Sequence, residues 1–242
     1  IWRNFMANNV YICQFSLDKA IQYKIRASIK DSGFDYPDIK DILMIKDEDN
    51  DEVSLKKKLF FPFSSELTNA NHFSIQSKIV PDALWTGIDQ REIQLPTKQD
   101  YIFSIWNGGR VFNQSCANIL KQHRLGENIL TPIQIYDLST GELVSDEVFY
   151  FLNLYERRLF ICQEQTTDRL KARFDSRHGV LITKSVFNDG EVNVEKSALD
   201  CDVDLWYDPR ILGHFFISES LYQSLNQAGM IDKFDPHTCK LI

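Results

Sequence analysis

The feature that most constrains this chain is the shortness of its apolar runs. Residues 148–155 (VFYFLNLY) form a nearly continuous run that reads as a strand covered on both faces. Shorter β-branched and aromatic runs recur at 10–15, 101–106, 130–136, 159–162, 180–186, 192–194 and 215–217. None approaches the ~18–20 apolar residues that a membrane helix needs. Helical signals are few. Asn113 caps a helix predicted over 114–124, with Cys116, Ala117, Ile119 and Leu120 on its apolar face and Gly126 beyond its end. Ser218 caps a second over 219–228, stopped by Gly229. Many short strands, few helices and no βαβ alternation predict an α+β fold, with a mixed, mostly antiparallel sheet and a few short helices. Laying Ser218 on Asn113 also sets Leu221 on Cys116 and Leu225 on Leu120. A repeated strand–helix–strand unit and the shared physics of capped helices both explain that match.

The N-terminal part is less patterned. A short helix is expected over 16–27, a loop over 31–38 and a strand over 42–45. An exposed acidic tract, 46–52 (KDEDNDE), precedes Lys56, Lys57 and Lys58. An apolar run at 59–63, a polar turn at 69–72 and weak alternation over 75–85 follow. Pro96 interrupts the pattern, so a soft boundary is placed there. Residues 1–95 are expected as a β-rich segment packed on the core, and 96–242 as an α+β domain. Asn107-Gly108-Gly109, Ser139-Thr140-Gly141 and Asn188-Asp189-Gly190 mark turns, the last of them hairpin-like. Met6 is a candidate start, which would leave Ile1–Phe5 outside the native chain.

Composition narrows the class of function. The 242 residues are 43% hydrophobic and 25% charged, ordinary for a globular protein, with a net charge of −7. An acidic chain suits a basic partner better than bulk nucleic acid. The N-terminus lacks the pattern of a secretory signal, which suggests a cytoplasmic protein with no membrane attachment. Five widely spaced cysteines, Cys13, Cys116, Cys162, Cys201 and Cys239, contain no C-x-x-C pair and fit a reducing compartment. The histidines are equally scattered, without zinc-ligand spacing, so no metal or other cofactor is expected. No G-x-S-x-G, P-loop, G-x-G-x-x-G or H-E-x-x-H pattern is present, and no catalytic residue is assigned. A site assembled from distant residues, as in an unrecognised hydrolase or transferase, is the remaining catalytic reading.

Two charged stretches invite a binding role. Between residues 186 and 220 stand Asp189, Glu191, Glu195, Asp200, Asp202, Asp204, Asp208 and Glu219, opposed only by Lys196 and Arg210. Asp200, Asp202 and Asp204 are spaced by two, so an extended backbone would set them on one face. Three aligned carboxylates repel one another and gain from a basic partner or a metal ion, although D-C-D-V-D lacks the Gly turn and terminal Glu of an EF-hand loop; a solvated loop is the plainer explanation. Trp206 and Tyr207 beside them are candidate interface anchors, with a core position the alternative for Trp206. The candidate partner-binding set is therefore Asp189, Glu191, Asp200, Asp202, Asp204, Trp206, Tyr207 and Asp208. The other stretch, 157–177, carries Arg157, Arg158, Arg169, Lys171, Arg173 and Arg177, with Leu170 and Phe174 at helical spacing. It is the basis of a competing nucleic-acid-binding reading, although no RNP, KH or helix-turn-helix signature surrounds it.

Three stretches, taken in order, resemble the immunity-protein-eleven family of bacterial polymorphic toxin systems. They are 111–130, with its capped helix and LGENIL; 131–155, from TPIQIYD to VFYFLNLY; and 205–234, from LWYDP to a final Phe. Asp204, Leu205, Trp206, Asp208 and Pro209 resemble the family's acidic-plus-tryptophan segment, and Phe216, Ile217, Ser218, Leu221 and Leu225 its strand–Ser–helix ending. The similarity covers roughly 95–242. It implies a non-catalytic cytoplasmic protein that binds a cognate toxin and covers its active site or substrate groove. A basic, nucleic-acid-acting toxin would suit the charge; no direct nucleic-acid contact is implied, and the oligomeric state is left open.

Overall fold

The apolar runs become short strands in the computed structural model, which describes residues 8–14, 26–28, 83–86, 95–97, 99–105, 110–137, 140–162, 172–175, 179–182, 187–211 and 213–242. The expectations for 16–25, 31–38, 42–63, 69–72, 75–82 and 107–109 lie outside the described residues. The chain divides into two compact units, one of Ile1–Lys19, Asn118–Asn128 and Leu154–Ile242, the other of Ala20–Ala117 and Ile129–Asn153. This division differs from a single cut near residue 95. Strand pairing ignores sequence distance, and the first strand, β1 (Val10–Cys13), pairs with residues more than 200 positions away. The fold is α+β, with two α-helices among the described residues, α1 (Gln114–Leu120) and α2 (Glu219–Gln227).

The unit of Ala20–Ala117 and Ile129–Asn153 is built on six strands: β2 (Arg26–Ser28), β3 (Ala83–Thr86), β4 (Ile102–Ser104), β5 (Arg110–Phe112), β6 (Ile129–Asp137) and β7 (Phe149–Asn153). Their order is β2-β3-β6-β7-β5-β4, antiparallel except for the parallel β3–β6 pair. Arg26 and Ala27, placed in a helix by their sequence, belong to β2. All five residues of β7 are buried, as its unbroken apolar run predicts. Leu84, Phe103, Val111, Ile133, Ile135, Phe149 and Phe151 form the core, and Phe103 meets Phe149 edge-on at 5.4 Å. Pro132 lies opposite Tyr150 of β7, and the described pairing of β6 with β3 begins beyond it, at Gln134.

In the other unit a four-stranded antiparallel sheet runs β11 (Leu205–Trp206), β12 (Phe215–Ser218), β1, β13 (Pro236–Thr238). A parallel pair, β10 (Asn193–Val194) with β14 (Lys240–Leu241), and an antiparallel pair, β8 (Ala172–Asp175) with β9 (Gly179–Ile182), complete it. Its core gathers Val10, Ile12, Phe187, Val192, Val203, Trp206 and Phe216, with Trp206 stacked on Phe216 at 5.9 Å. Ser218 caps α2 by accepting from the Leu221 amide, and Leu221 and Leu225 are buried one turn apart.

Four local expectations are corrected. The first helix stops at Leu120, because the Gln122 and His123 amides bond three residues back, to Ile119 and Leu120, and tighten the end. Residues 159–162 form a single bridge, Ile161 to Val194, instead of a strand. The Ile161 amide is taken by the Asp208 carboxylate at 3.1 Å, so the ladder cannot extend. Phe174 lies in β8, so its spacing from Leu170 is no helical stripe. Gly190 makes the expected turn with φ 73°, but among the described residues β10 pairs with β14 and not across the turn.

Candidate functional site

Asp204 is a densely connected carboxylate of its unit. It enters β11, flanked by the buried Val203 and Leu205, and its backbone ties two elements together. The Asp204 amide donates to the Arg124 carbonyl at 2.8 Å, and the Ser218 amide donates to the Asp204 carbonyl at 3.1 Å. Its side chain accepts from the Arg124 amide (2.9 Å), Arg124 Nε (3.2 Å), Arg124 Nη2 (2.9 Å) and Ser218 Oγ (2.7 Å). Burial alone would push this carboxyl up; the Arg124 and Ser218 donors outweigh it and hold it at about 2. His123 stands beside it, with Nδ1 3.6 Å from Asp204 Oδ2 and Nε2 2.9 Å from Ser224 Oγ on α2.

Three further polar knots fasten the same unit. Glu156 accepts from the Glu127 amide and from Arg158 Nη1, both at 2.6 Å, while Arg158 Nη2 reaches Asp202 at 2.8 Å. Asn128 accepts from the Tyr155 and Glu156 amides and donates to the Leu205 carbonyl at 2.7 Å, satisfying three backbone groups with one side chain. Asp208, fully buried, accepts from the Ile161 amide and from the amide and guanidinium of Arg210.

These contacts redistribute the residues singled out from the sequence. Asp204, Trp206, Tyr207 and Asp208 are buried, so they do not present themselves to a partner: Trp206 is 1% exposed and packs in the core. Asp200, Asp202 and Asp204 do not share one face. Asp200 ends a 3-10 helix over Lys196–Asp200, so the chain is not extended there, and Asp202 points outward where Asp204 points in. Asp202 is 78% exposed and paired with Arg158, while Asp200 is exposed. Asp189 is exposed and accepts from the Thr238 amide and hydroxyl, which hold its carboxyl below the usual range. Glu191 is half-buried and accepts from the Asn188 amide and side chain.

What reaches solvent is a different set. The 3-10 helix is anchored by Ala198 and Cys201 and turns Glu195, Lys196, Leu199 and Asp200 outward. Leu199, 37% exposed, borders a hollow of about 170 Å³ shared with Arg124, Asn9 and Ser220. The adjoining segment, joined through the Ile161–Val194 bridge and the Glu195 amide to the Phe160 carbonyl, exposes Leu159 at 52%. Leu159 and Leu199 are exposed, as are Glu195, Asp200 and Asp202. Leu159, Leu199 and Arg124 are not singled out by the sequence, whereas Arg158 stands in its basic stretch and Ser218 is its predicted helix cap.

Of the described residues of the basic stretch, Arg157 is exposed. Arg158 is committed to Glu156 and Asp202. Arg169, Lys171 and Arg177 lie outside the described residues. Among the described residues no grouping of His, Cys, Asp and Glu could hold a metal ion, and no helix is long and apolar enough to cross a membrane. Burial pushes the Cys13, Cys116 and Cys239 thiols up, away from nucleophilic thiolate. No protein-family model matches the chain, and no curated protein matches it.

Proposed function

We propose that this protein is a binding protein that presses the face formed by Leu159, Glu195, Leu199, Asp200 and Asp202 onto a basic protein. On the resemblance to the immunity-protein-eleven family, the partner is a cognate toxin whose active site or substrate groove is covered. The observation that carries the reading is the exposure of Leu199 on a turn that is otherwise fixed. Glu195 donates its amide to Phe160, Lys196 donates to the Ile242 carbonyl at 3.1 Å, and Ala198 is buried. A face held this way loses little conformational freedom on docking, so more of the contact energy is realised as affinity. Exposed leucines supply apolar contact, and the surrounding carboxylates steer a basic surface and reject acidic ones.

The test is co-expression with the protein encoded by the adjacent reading frame. The proposal expects a stable complex that survives gel filtration, and loss of roughly tenfold or more in affinity for Leu199→Ala, within the range of an interface anchor. A complex of unchanged affinity in that variant, or no complex at all, would count against it.

A further inference from the structure

The geometry points to a second chemistry, separate from the binding face: we propose that Ser224 is a nucleophile activated by His123, with Asp204 positioning the imidazole, and that it is acylated by small activated esters. His123 Nε2 and Ser224 Oγ are 2.9 Å apart, a hydrogen bond between a base and a hydroxyl. The other ring nitrogen, Nδ1, faces the Asp204 carboxylate at 3.6 Å. That spacing is beyond hydrogen-bond range, a looseness common in unliganded sites. The proposal places the imidazole proton on Nδ1, on the side of the accepting Asp204 carboxylate, so that the Nε2 lone pair receives the Ser224 hydroxyl. Order and polarity are those of a serine–histidine–aspartate relay, recognised by geometry and not by position in the chain.

Each group has the setting its role needs. Asp204 is almost fully buried and fixed by Arg124 and Ser218, so it cannot swing away. The His123 side chain is nearly buried, which limits competition from water, while Ser224 on α2 is partly exposed. In the step, Ser224 Oγ bonds to the ester carbonyl carbon and its proton passes to Nε2. Collapse of the adduct breaks the ester C–O bond. The departing alkoxide takes the proton from Nε2 and leaves as the alcohol, with the acyl group on Ser224. Water can remove that group by the same route, with His123 again as base.

The experiment incubates the full chain with p-nitrophenyl acetate and locates acetyl groups by peptide mass spectrometry. The proposal expects one acetyl on Ser224, and none at that peptide in Ser224→Ala. In His123→Gln, which keeps a hydrogen-bonding side chain but no base, Ser224 acetylation should slow at least tenfold. In folded Asp204→Asn, Ser224 acetylation at a fixed pH of about 7 should slow at least tenfold, and Asp204→Glu, which keeps the carboxylate, should recover most of it, a rescue that a merely structural role would not produce. Acetylation confined to lysines, or an equal rate at Ser224 in folded His123→Gln, overturns the proposal. Circular dichroism confirms that each variant is folded; Ser224 and His123 lie outside the hydrophobic core, so both substitutions should preserve it.

Discussion

Arg124 binds Asp204 with its backbone and its side chain together: the amide, Nε and Nη2 all donate to the one carboxylate, at 2.9, 3.2 and 2.9 Å. The guanidinium itself is largely in solvent, with 61% of the side chain exposed, while the carboxylate is buried. The buried partner therefore carries the energetic burden. Without Arg124 and Ser218, a carboxylate in that place would have to protonate or leave.

This predicts a specific acid response. The folded-state value of about 2 lies below the ordinary 3.8, so ionised Asp204 favours the folded chain above about pH 4. That contribution falls away as pH drops from about 4 toward 2. Urea unfolding as a function of pH should show Asp204→Asn costing roughly 2 kcal/mol near neutrality and less at low pH. A penalty independent of pH would show that the carboxylate's charge is not what matters.

Ser218 serves the same carboxylate and the start of α2. Its hydroxyl donates to Asp204 Oδ1 at 2.7 Å and accepts from the Leu221 amide at 3.2 Å. Ser218→Ala removes a cap and a buried donor at once and should cost about 2 kcal/mol in chemical denaturation. Ser218→Thr, which keeps the hydroxyl, should recover most of it.

Gly126 leads to a sharper expectation. Its φ is +60°, and a Cβ there would fall 1.9 Å from Glu156 Oε1 and 2.7 Å from Val203 Cγ1. Gly126→Ala should destabilise by at least about 2 kcal/mol, from left-handed strain together with displacement of Glu156. Glu156→Ala removes the nearest obstruction, so the double variant should lose less than the sum of the two singles. Strict additivity would mean that the Glu156 contact is irrelevant.

The local signals in the sequence were accurate where chemistry acts locally. Asn113 does cap α1 through the Cys116 amide, Ser218 caps α2, and the apolar run of β7 is buried throughout. The acidic stretch was misread because its pairing is not local. Arg124 is 80 positions from Asp204, and Arg158 is 44 from Asp202, so charge counting along the chain sees only an unopposed excess. The sequence did hold a clue to burial: Val203, Leu205 and Trp206 surround Asp204 with apolar neighbours, as a solvated loop would not. The 3-10 helix at Lys196–Asp200 left no such trace, since Ala198 alone turns inward from it.

Trp206 and Leu199 should separate stability from binding. Trp206 is core, so Trp206→Ala should cost about 3–5 kcal/mol and lower the melting temperature strongly. Leu199→Ala should change stability by less than about 1 kcal/mol, since much of its surface is already in water. Thermal melts of the two variants check this; a Leu199→Ala penalty of the size seen for Trp206 would place Leu199 in the core.

The most direct measurement is the association rate with the adjacent-frame protein, followed at low and high salt, for the parent and for the triple variant Glu195→Lys, Asp200→Lys, Asp202→Lys. Electrostatic steering by this face predicts a parent rate that falls as salt rises, and a variant slowed by about tenfold or more at low salt. A variant that associates as fast as the parent, with the same salt dependence, would contradict the assignment of the face.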